Sequence, residues 1–301
     1  MSAPIEIAGT TATTAGTPVR AVRQPGARRT LVASLGIHAT LVAASVIAVS
    51  PIVWVLLSSF KPGVWVNSSD LSLVKEPTLA NYHYVLLNTN FPRWMLNSVL
   101  VAAATMLIGV FLSATTGYAL SRFNFPGRRQ LMLTFLVTQM FPVSILIVPM
   151  YVILARLSLI NTLASLVIAY LTVAVPFCAW MLKGYFDTIS RSLDEAAQMD
   201  GCGPFAVFWR IVVPLARPGL AVTAFFTFLT AWGEVAYASA FIQTDNKYTL
   251  AYGLQQFVPQ FNPQWEYLAA AAVLVTVPAG LVFFVAQRHL VSGLTAGGTK
   301  G

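Results

Sequence analysis

Four of the ten acidic residues of this 301-residue chain, Asp187, Asp194, Glu195 and Asp200, fall between positions 187 and 200. Only 9% of all residues are charged, so such a concentration calls for a cationic counterpart. Catalysis is a poor account of it. A phosphate-holding loop needs a Lys followed by Ser or Thr after a glycine-rich turn. The five lysines precede Pro62, Glu76, Gly184, Tyr248 and Gly301, so nucleotide hydrolysis has no seat here. His38, His83 and His289 are far apart, while Cys178 falls in an apolar run and Cys202 in a loop. No metal, cofactor or structural disulfide is indicated. What remains is recognition, in which an acidic loop meets donors on another protein.

The elements that must position this loop are membrane helices. The chain is 57% hydrophobic with a mean hydropathy of +0.72, too apolar for a soluble domain. A hydrocarbon core about 30 Å thick takes roughly 20 apolar residues per helix. Six runs of that kind are expected near 31–59, 94–120, 131–155, 163–186, 218–242 and 266–287, an all-α multi-pass membrane protein. Lys and Arg accumulate in cytoplasmic loops. With the N-terminus inside, only Lys61, Lys75, Arg93, Arg156 and Lys247 of the eighteen basic residues lie outside, so both termini are expected in the cytoplasm. The net charge of +8 is thus a topology signal, and its scatter over separate loops argues against nucleic acid.

Four segments follow. Residues 1–30 form a polar, disorder-prone tail; 31–93 hold the first span and an outer loop; 94–287 form the main transmembrane domain with an inner loop at 187–217; 288–301 form a cytoplasmic tail. Gly109, Ser113 and Gly117 recur every four residues in the second span and mark a close helix contact. The basic loop 121–130 serves orientation. Pro142, Pro149, Pro176 and Pro278 fall inside spans, where each removes a backbone hydrogen bond.

Within the inner loop, Ser192 and Glu195 are spaced for a capping box, and Leu193, Ala196, Ala197 and Met199 can share one helix face. Gly201-Cys202-Gly203-Pro204 should stop that helix. A second short helix, 205–212, should end at Pro214. An amphipathic pair resting on lipid is the simpler account, but its acids would be repelled by anionic headgroups.

Glu195-Ala196-Ala197, then Gly201, Ile211 and Val213-Pro214, with three, nine and one residues between them, resembles the EAA loop of bacterial ABC importer permeases. The likeness extends through LKGYFDTISRSLDEAAQMDG (182–201), KYTLAYGLQQF (247–257), AAAAV (269–273) and AQRHLVSGLTAGGTKG (286–301), which are similar to MalG-type permeases of maltose and maltodextrin importers. That resemblance implies a type I ABC importer permease fold and a subunit that is not itself an enzyme. Its partners would be an ATPase homodimer, a second permease and an extracytoplasmic sugar-binding protein, in the bacterial cytoplasmic membrane. Glu195, Ala196, Ala197, Asp200, Gly201, Ile211 and Pro214 would couple it to the ATPase. Gly293, Thr295, Gly297, Gly298 and Lys300 would lie in a tail reaching between the ATPases.

Glu234 is the one acid deep within a predicted span, Glu266 standing at the very start of another, and it should face a cavity, a partner or a hydrogen-bond network. With Tyr237, Thr230 and Gln139 it forms a candidate translocation path or gate. Tyr248, Tyr252, Gln255 and Gln256, in the outer loop 243–265, are candidates for contact with the binding protein. An ion-coupled secondary transporter is the alternative, yet it calls for paired buried charges or internal repeats, and the sequence offers neither. An intramembrane enzyme would need convergent nucleophile or metal-ligand groups inside spans, and none is visible.

Overall fold

The computed structural model describes residues 31–62, 77–259, 261 and 263–296. The 1–30 tail, and Gly297, Gly298 and Lys300 of the C-terminal tail, lie outside the described residues. The chain divides into two units, 1–50 and 51–301. Among the described residues there is no strand.

Helix α1, Leu31–Ser59, begins and ends where the first apolar run does. Its part in the first unit exposes nearly every side chain, among them Leu41, Val46 and Ile47. A helix apolar all round and unburied is a membrane helix. After it come α2, Ala80–Leu87, and α3, Phe91–Arg122. The 32 residues of α3, at about 1.5 Å each, exceed a hydrocarbon core of about 30 Å. Both of its ends therefore project, and both are used below.

The third predicted span is not one rod. It is α4, Arg128–Thr138, and α5, Val143–Arg156, bent by 108°. Pro142 is the cause: it cannot donate to the previous turn and forces the residue before it toward an extended conformation. Pro149 instead sits inside α5, as Pro176 and Pro278 sit inside α6 and α12 below. Helix α6, Leu163–Asp187, matches its predicted span and is capped by Thr162, whose side chain accepts from the amide of Ser165. The inner loop contributes α7, Arg191–Met199, and α8, Pro204–Leu215. The fifth span is α9, Arg217–Trp232, then a break, then α10, Ala236–Phe241. A short α11, Leu250–Gly253, lies in the next loop, and α12 runs Trp265–Ala296.

Among the described residues four helices are long and apolar enough to cross a membrane, and up to six stretches are if each bent pair, α4 with α5 and α8 with α9, is counted as one. α3 and α6 form the most extensive helix pair, and the small-residue stripe is its seam. A Cβ on Gly117 would stand 3.0 Å from the Ala179 carbonyl oxygen and 3.1 Å from the Lys183 amide. Ser113 Oγ donates to the Val175 carbonyl at 3.4 Å. Gly109 faces Thr227 of α9 and Leu171 of α6. One large apolar cluster fills the interior toward the Trp94 end of α3, and a smaller one lies under α7.

Candidate coupling site

Helix α7 is short and closed at both ends by specific bonds. Ser190, not Ser192, is its N-cap: the Ser190 side chain accepts from the amide of Ser192 at 3.3 Å. The expected capping box from Ser192 to Glu195 is absent, and Asp194 is the acid in the first turn. At the other end the Cys202 amide donates to the Ala197 carbonyl at 2.9 Å and the Gly201 amide to that of Gln198 at 3.0 Å. These are the two bonds of a Schellman closure. It needs a left-handed residue after the cap, and Gly201 supplies it with φ +86. A Cβ on Gly201 would meet no atom within 4 Å, so backbone conformation alone makes this position glycine.

The inward face of α7 is not the expected apolar one. Asp194 and Ala197 are buried, while Leu193 is exposed by 44% and Met199 by 89%. Asp194 Oδ2 lies 2.6 Å from Nε of Arg122, the last residue of α3, with side-chain exposures of 10% and 6%. That pair turns the 194/197 side of the helix inward and leaves Glu195, Ala196 and Asp200 outside. Further bonds tie the same junction. Arg122 Nη2 donates to the Ile189 carbonyl at 3.1 Å, and Arg191 Nη2 to the Ser121 carbonyl at 2.9 Å. Ser121 Oγ donates to Asp187 at 2.7 Å, and Lys183 pairs with the same carboxylate.

Helix α8 then anchors the loop from the other side. Val207, Phe208, Val212 and Ala216 are buried with Tyr118 of α3 and Leu182 and Phe186 of α6. The Tyr118 ring centroid is 4.9 Å from that of Phe208 and 6.2 Å from that of Phe186. Pro214 does not end this helix. A π-helical turn, Phe208–Val212, widens it ahead of the proline, with the Val213 amide reaching back to the Phe208 carbonyl. Such a turn accommodates a ring that would clash with the preceding carbonyl. The chain breaks instead at Ala216, where α8 and α9 meet at 81°. Ile211 and Pro214 are half-buried at this joint.

Glu234 is not inside a helix. It occupies the break between α9 and α10, half-buried, and its carboxylate accepts from the amides of Tyr237 at 2.8 Å and Ala238 at 3.2 Å. It is thus a local cap for the amides that the break leaves bare. Tyr237 is fully buried, with its ring centroid 6.4 Å from that of Tyr170 in α6. Thr230 Oγ1 is spent on the Phe226 carbonyl, and Gln139, at the break in the third span, donates to the Val173 carbonyl of α6. Glu234 and Tyr237 are together; among the described residues no hydrogen bond joins Gln139 to them.

The loop after α10 folds onto the start of α3. Trp94 Nε1 donates to the Asp245 carbonyl at 2.8 Å, and Asn97 donates to the carbonyls of Asn246 and Tyr248 at 3.0 and 2.9 Å. The Leu250 amide donates to Ser98 Oγ at 2.6 Å. Asn161, held at φ +61, accepts through Oδ1 from the amides of Gln243 and Thr244, and its own carbonyl accepts from Lys247 Nζ. On this platform Tyr248 and Tyr252 meet edge to face at 4.4 Å, half-buried, and Gln255 and Gln256 are exposed. Burial, then Tyr252 and Asp245 beside it, push the Tyr248 phenol above its ordinary range, so it stays a neutral hydroxyl.

Of the C-terminal positions, Gly293 and Thr295 fall within α12, so the helix continues well past the predicted tail boundary at 288. Arg122, Ser121 and Trp94 were not singled out by sequence. The one available hint was that Arg122 sits at a helix end, next to Tyr118 and opposite a loop with surplus acid.

A family described as "Binding-protein-dependent transport system inner membrane component" matches residues 106–296. The maltodextrin transport system permease protein MalD of Streptococcus pneumoniae is 36% identical over 262 residues, 87% of this chain and 93% of that protein. The diacetylchitobiose uptake system permease protein NgcG of Streptomyces coelicolor is 34% identical over 262 residues, 86% of this chain and 87% of that protein. A chain of a bacterial ABC transporter involved in import of the acidic polysaccharide alginate superposes with a TM-score of 0.77 at 20% identity, covering 87% of this chain and 98% of that one. The fold is therefore that of an ABC importer permease, as the EAA-like spacing implied. With most of its length matched in both sequence and structure, the chain belongs to the family of binding-protein-dependent transport system inner membrane components.

Proposed function

We propose that this chain is one of two permease subunits of an ATP-driven oligosaccharide importer, with maltose or a maltodextrin as its substrate. The reading rests on the relatives for the sugar and on the α7 junction for the mechanism. A helix that exposes Glu195, Ala196 and Asp200, while its inner face is clamped to α3, is built to receive force and pass it on. Both termini and α7 face the cytoplasm, where a homodimeric ATPase takes α7 into a cleft. Ala196 allows close approach, Glu195 and Asp200 meet donors, and Ile211 and Pro214 tie the joint to α9. The tail from Gly293 through Thr295, Gly297, Gly298 and Lys300 reaches between the ATPase subunits.

Closure of the ATPases moves α7 as a rigid body. Because Arg122 ends α3 and Trp94 lies near its start, the same helix carries that displacement to the platform of Tyr248, Tyr252, Gln255 and Gln256. There the extracytoplasmic sugar-binding protein docks. Glu234 and Tyr237, at the break in the fifth span, form the hinge of a gate that the second permease completes. The substrate's hydroxyls and apolar ring faces suit half-buried tyrosines and amide side chains of this kind.

The test is recovery of the N-terminally tagged chain from its own membranes in mild detergent, followed by identification of the proteins that come with it. An ATPase and a second permease are expected, with the ATPase lost in a Glu195→Arg variant. Recovery of the chain alone in a form that still transports would refute the reading.

A further inference from the structure

A groove of about 520 Å³ opens at the α7 end of the molecule, between the loop after α3, the first turns of α4, and α6. At one end it is lined by Arg128, Arg129 and Lys183. Met132, Leu133 and Leu136, on one stripe of α4, form its apolar wall, and Phe125, Gly127 and Gln130 complete the lining. Its place in the membrane follows from the junction already described. The Arg191 to Ser121 and Arg122 to Ile189 bonds hold the start of this loop beside α7, so the basic end lies where α4 enters its span.

The local charges do not cancel. Lys183 is paired with Asp187, and Arg128 donates to the neutral side chain of Asn124 at 2.7 Å. Neither Arg128 nor Arg129 forms an ion pair among the described residues, although the charge of Arg128 is felt at Asp187, whose carboxylate is already bound by Lys183 and Ser121. Nor is any residue of α4 buried, so among the described residues the stripe below the arginines stays largely open.

We propose that this groove binds an anionic phospholipid, with the headgroup phosphate between Arg128 and Arg129 and an acyl chain along Met132, Leu133 and Leu136. The occupant follows from the shape of the lining: two guanidinium groups outside any ion pair and an apolar stripe running on from them match an amphiphile with a phosphate at one end. A free phosphate or nucleotide would use the arginines but leave the stripe wet. Phosphatidylcholine would fill the stripe but offer no net charge. The site abuts α6 through Lys183, whose Asp187 partner also accepts from Ser121, so an occupied groove braces the base of α7. Nothing in this proposal depends on which sugar is carried or on which way the chain is oriented.

The experiment uses the full chain purified from membranes with the partners it retains, stripped of loosely held lipid, and exposed in turn to phosphatidylglycerol, phosphatidylcholine and inorganic phosphate. Retained lipid is counted by native mass spectrometry. Phosphatidylglycerol should be held several-fold more than phosphatidylcholine. The double variant Arg128→Gln/Arg129→Gln should abolish that preference, Leu133→Ser should lower retention of the lipid, and Arg156→Gln, on the exposed end of α5, should leave both unchanged. Retention that ignores lipid charge, or that Arg128→Gln/Arg129→Gln does not alter, overturns the proposal. So does displacement of the lipid by millimolar inorganic phosphate. Loss of a partner protein from the double variant with the lipid count unaltered would make the groove a protein interface instead.

Discussion

Arg122 and Asp194, 72 positions apart, form an ion pair of 2.6 Å at which both side chains are nearly buried. One ends a long transmembrane helix and the other sits in the first turn of a nine-residue helix outside the span. Asp194 Oδ1 has no hydrogen-bond partner, so the pair depends on charge more than on alignment. Breaking a buried pair by removing one partner costs about 3–5 kcal/mol, because the other charge is left desolvated. Helix α7 buries only the 194 and 197 side chains on its inner face, and beside them Arg191 donates to the Ser121 carbonyl, so a loss of that size should loosen it.

Asp194→Asn should accordingly speed amide hydrogen exchange across 191–199 by more than tenfold while leaving exchange in the middle of α3 unchanged. The exchanged pair Arg122→Asp/Asp194→Arg should recover part of the protection. Equal exchange in Asp194→Asn and the parent chain would show that the pair does not hold α7.

Gly201 is constrained by φ and not by space within the chain. Gly201→Asn, which tolerates the left-handed region, should keep α7 closed, whereas Gly201→Ala should cost about 1–2 kcal/mol. If α7 docks in the ATPase as proposed, bulk added at 201 meets that partner, because a side chain here points into open space. Gly201→Val should therefore reduce recovery of the ATPase far more than Gly201→Asn. Identical recovery with both would remove Gly201 from the interface.

The opposite end of α3 offers a converse case. A Cβ on Gly253 would overlap the Trp94 indole, so Gly253→Ala must displace the platform that carries Tyr248 and Tyr252. Overpacking of that kind costs about 1–3 kcal/mol. Stimulation of ATP hydrolysis by the sugar-binding protein should fall several-fold, with ATPase recovery unaffected. A normal response would mean that this platform is not where the binding protein docks.

At the break in the fifth span, Glu234→Gln retains an acceptor oxygen for only one of two amides, and Glu234→Ala retains none. Uptake should decline in that order, with the alanine variant also losing about 1 kcal/mol of local stability, as for loss of a helix cap. If the glutamine variant is as impaired as the alanine one, the carboxylate charge matters and the cap does not.

How much of this could be foreseen from sequence differs by element, for physical reasons. A long apolar run bounded by polar residues states its own limits, which is why α1 and α6 fall where expected, each absorbing an internal proline, Pro51 and Pro176. The Gly109, Ser113 and Gly117 seam was equally legible, since spacing alone places small residues on one face. The breaks were not. Pro142 and Pro149 look alike in sequence, and only packing decides that the first ends a helix while the second is absorbed. Gly201 was readable as a cap because its turn chemistry is local. Asp194 was not readable as the inward residue, because its partner lies on another helix and hydropathy assigns a carboxylate to the outside. By sequence Arg122 reads as an orientation signal for the same reason, since charge counting treats every loop arginine alike.

The central claim is that force from the ATPase enters through α7 and crosses to α3 at the Arg122–Asp194 pair. Its most direct test measures sugar uptake and ATP hydrolysis together in sealed vesicles containing the whole importer, with Asp194→Asn in place of the parent chain. The account predicts that the ATPase stays bound and still hydrolyses ATP, while sugar moved per ATP falls at least tenfold and is partly restored by Arg122→Asp/Asp194→Arg. An unchanged ratio of sugar to ATP in Asp194→Asn would contradict it.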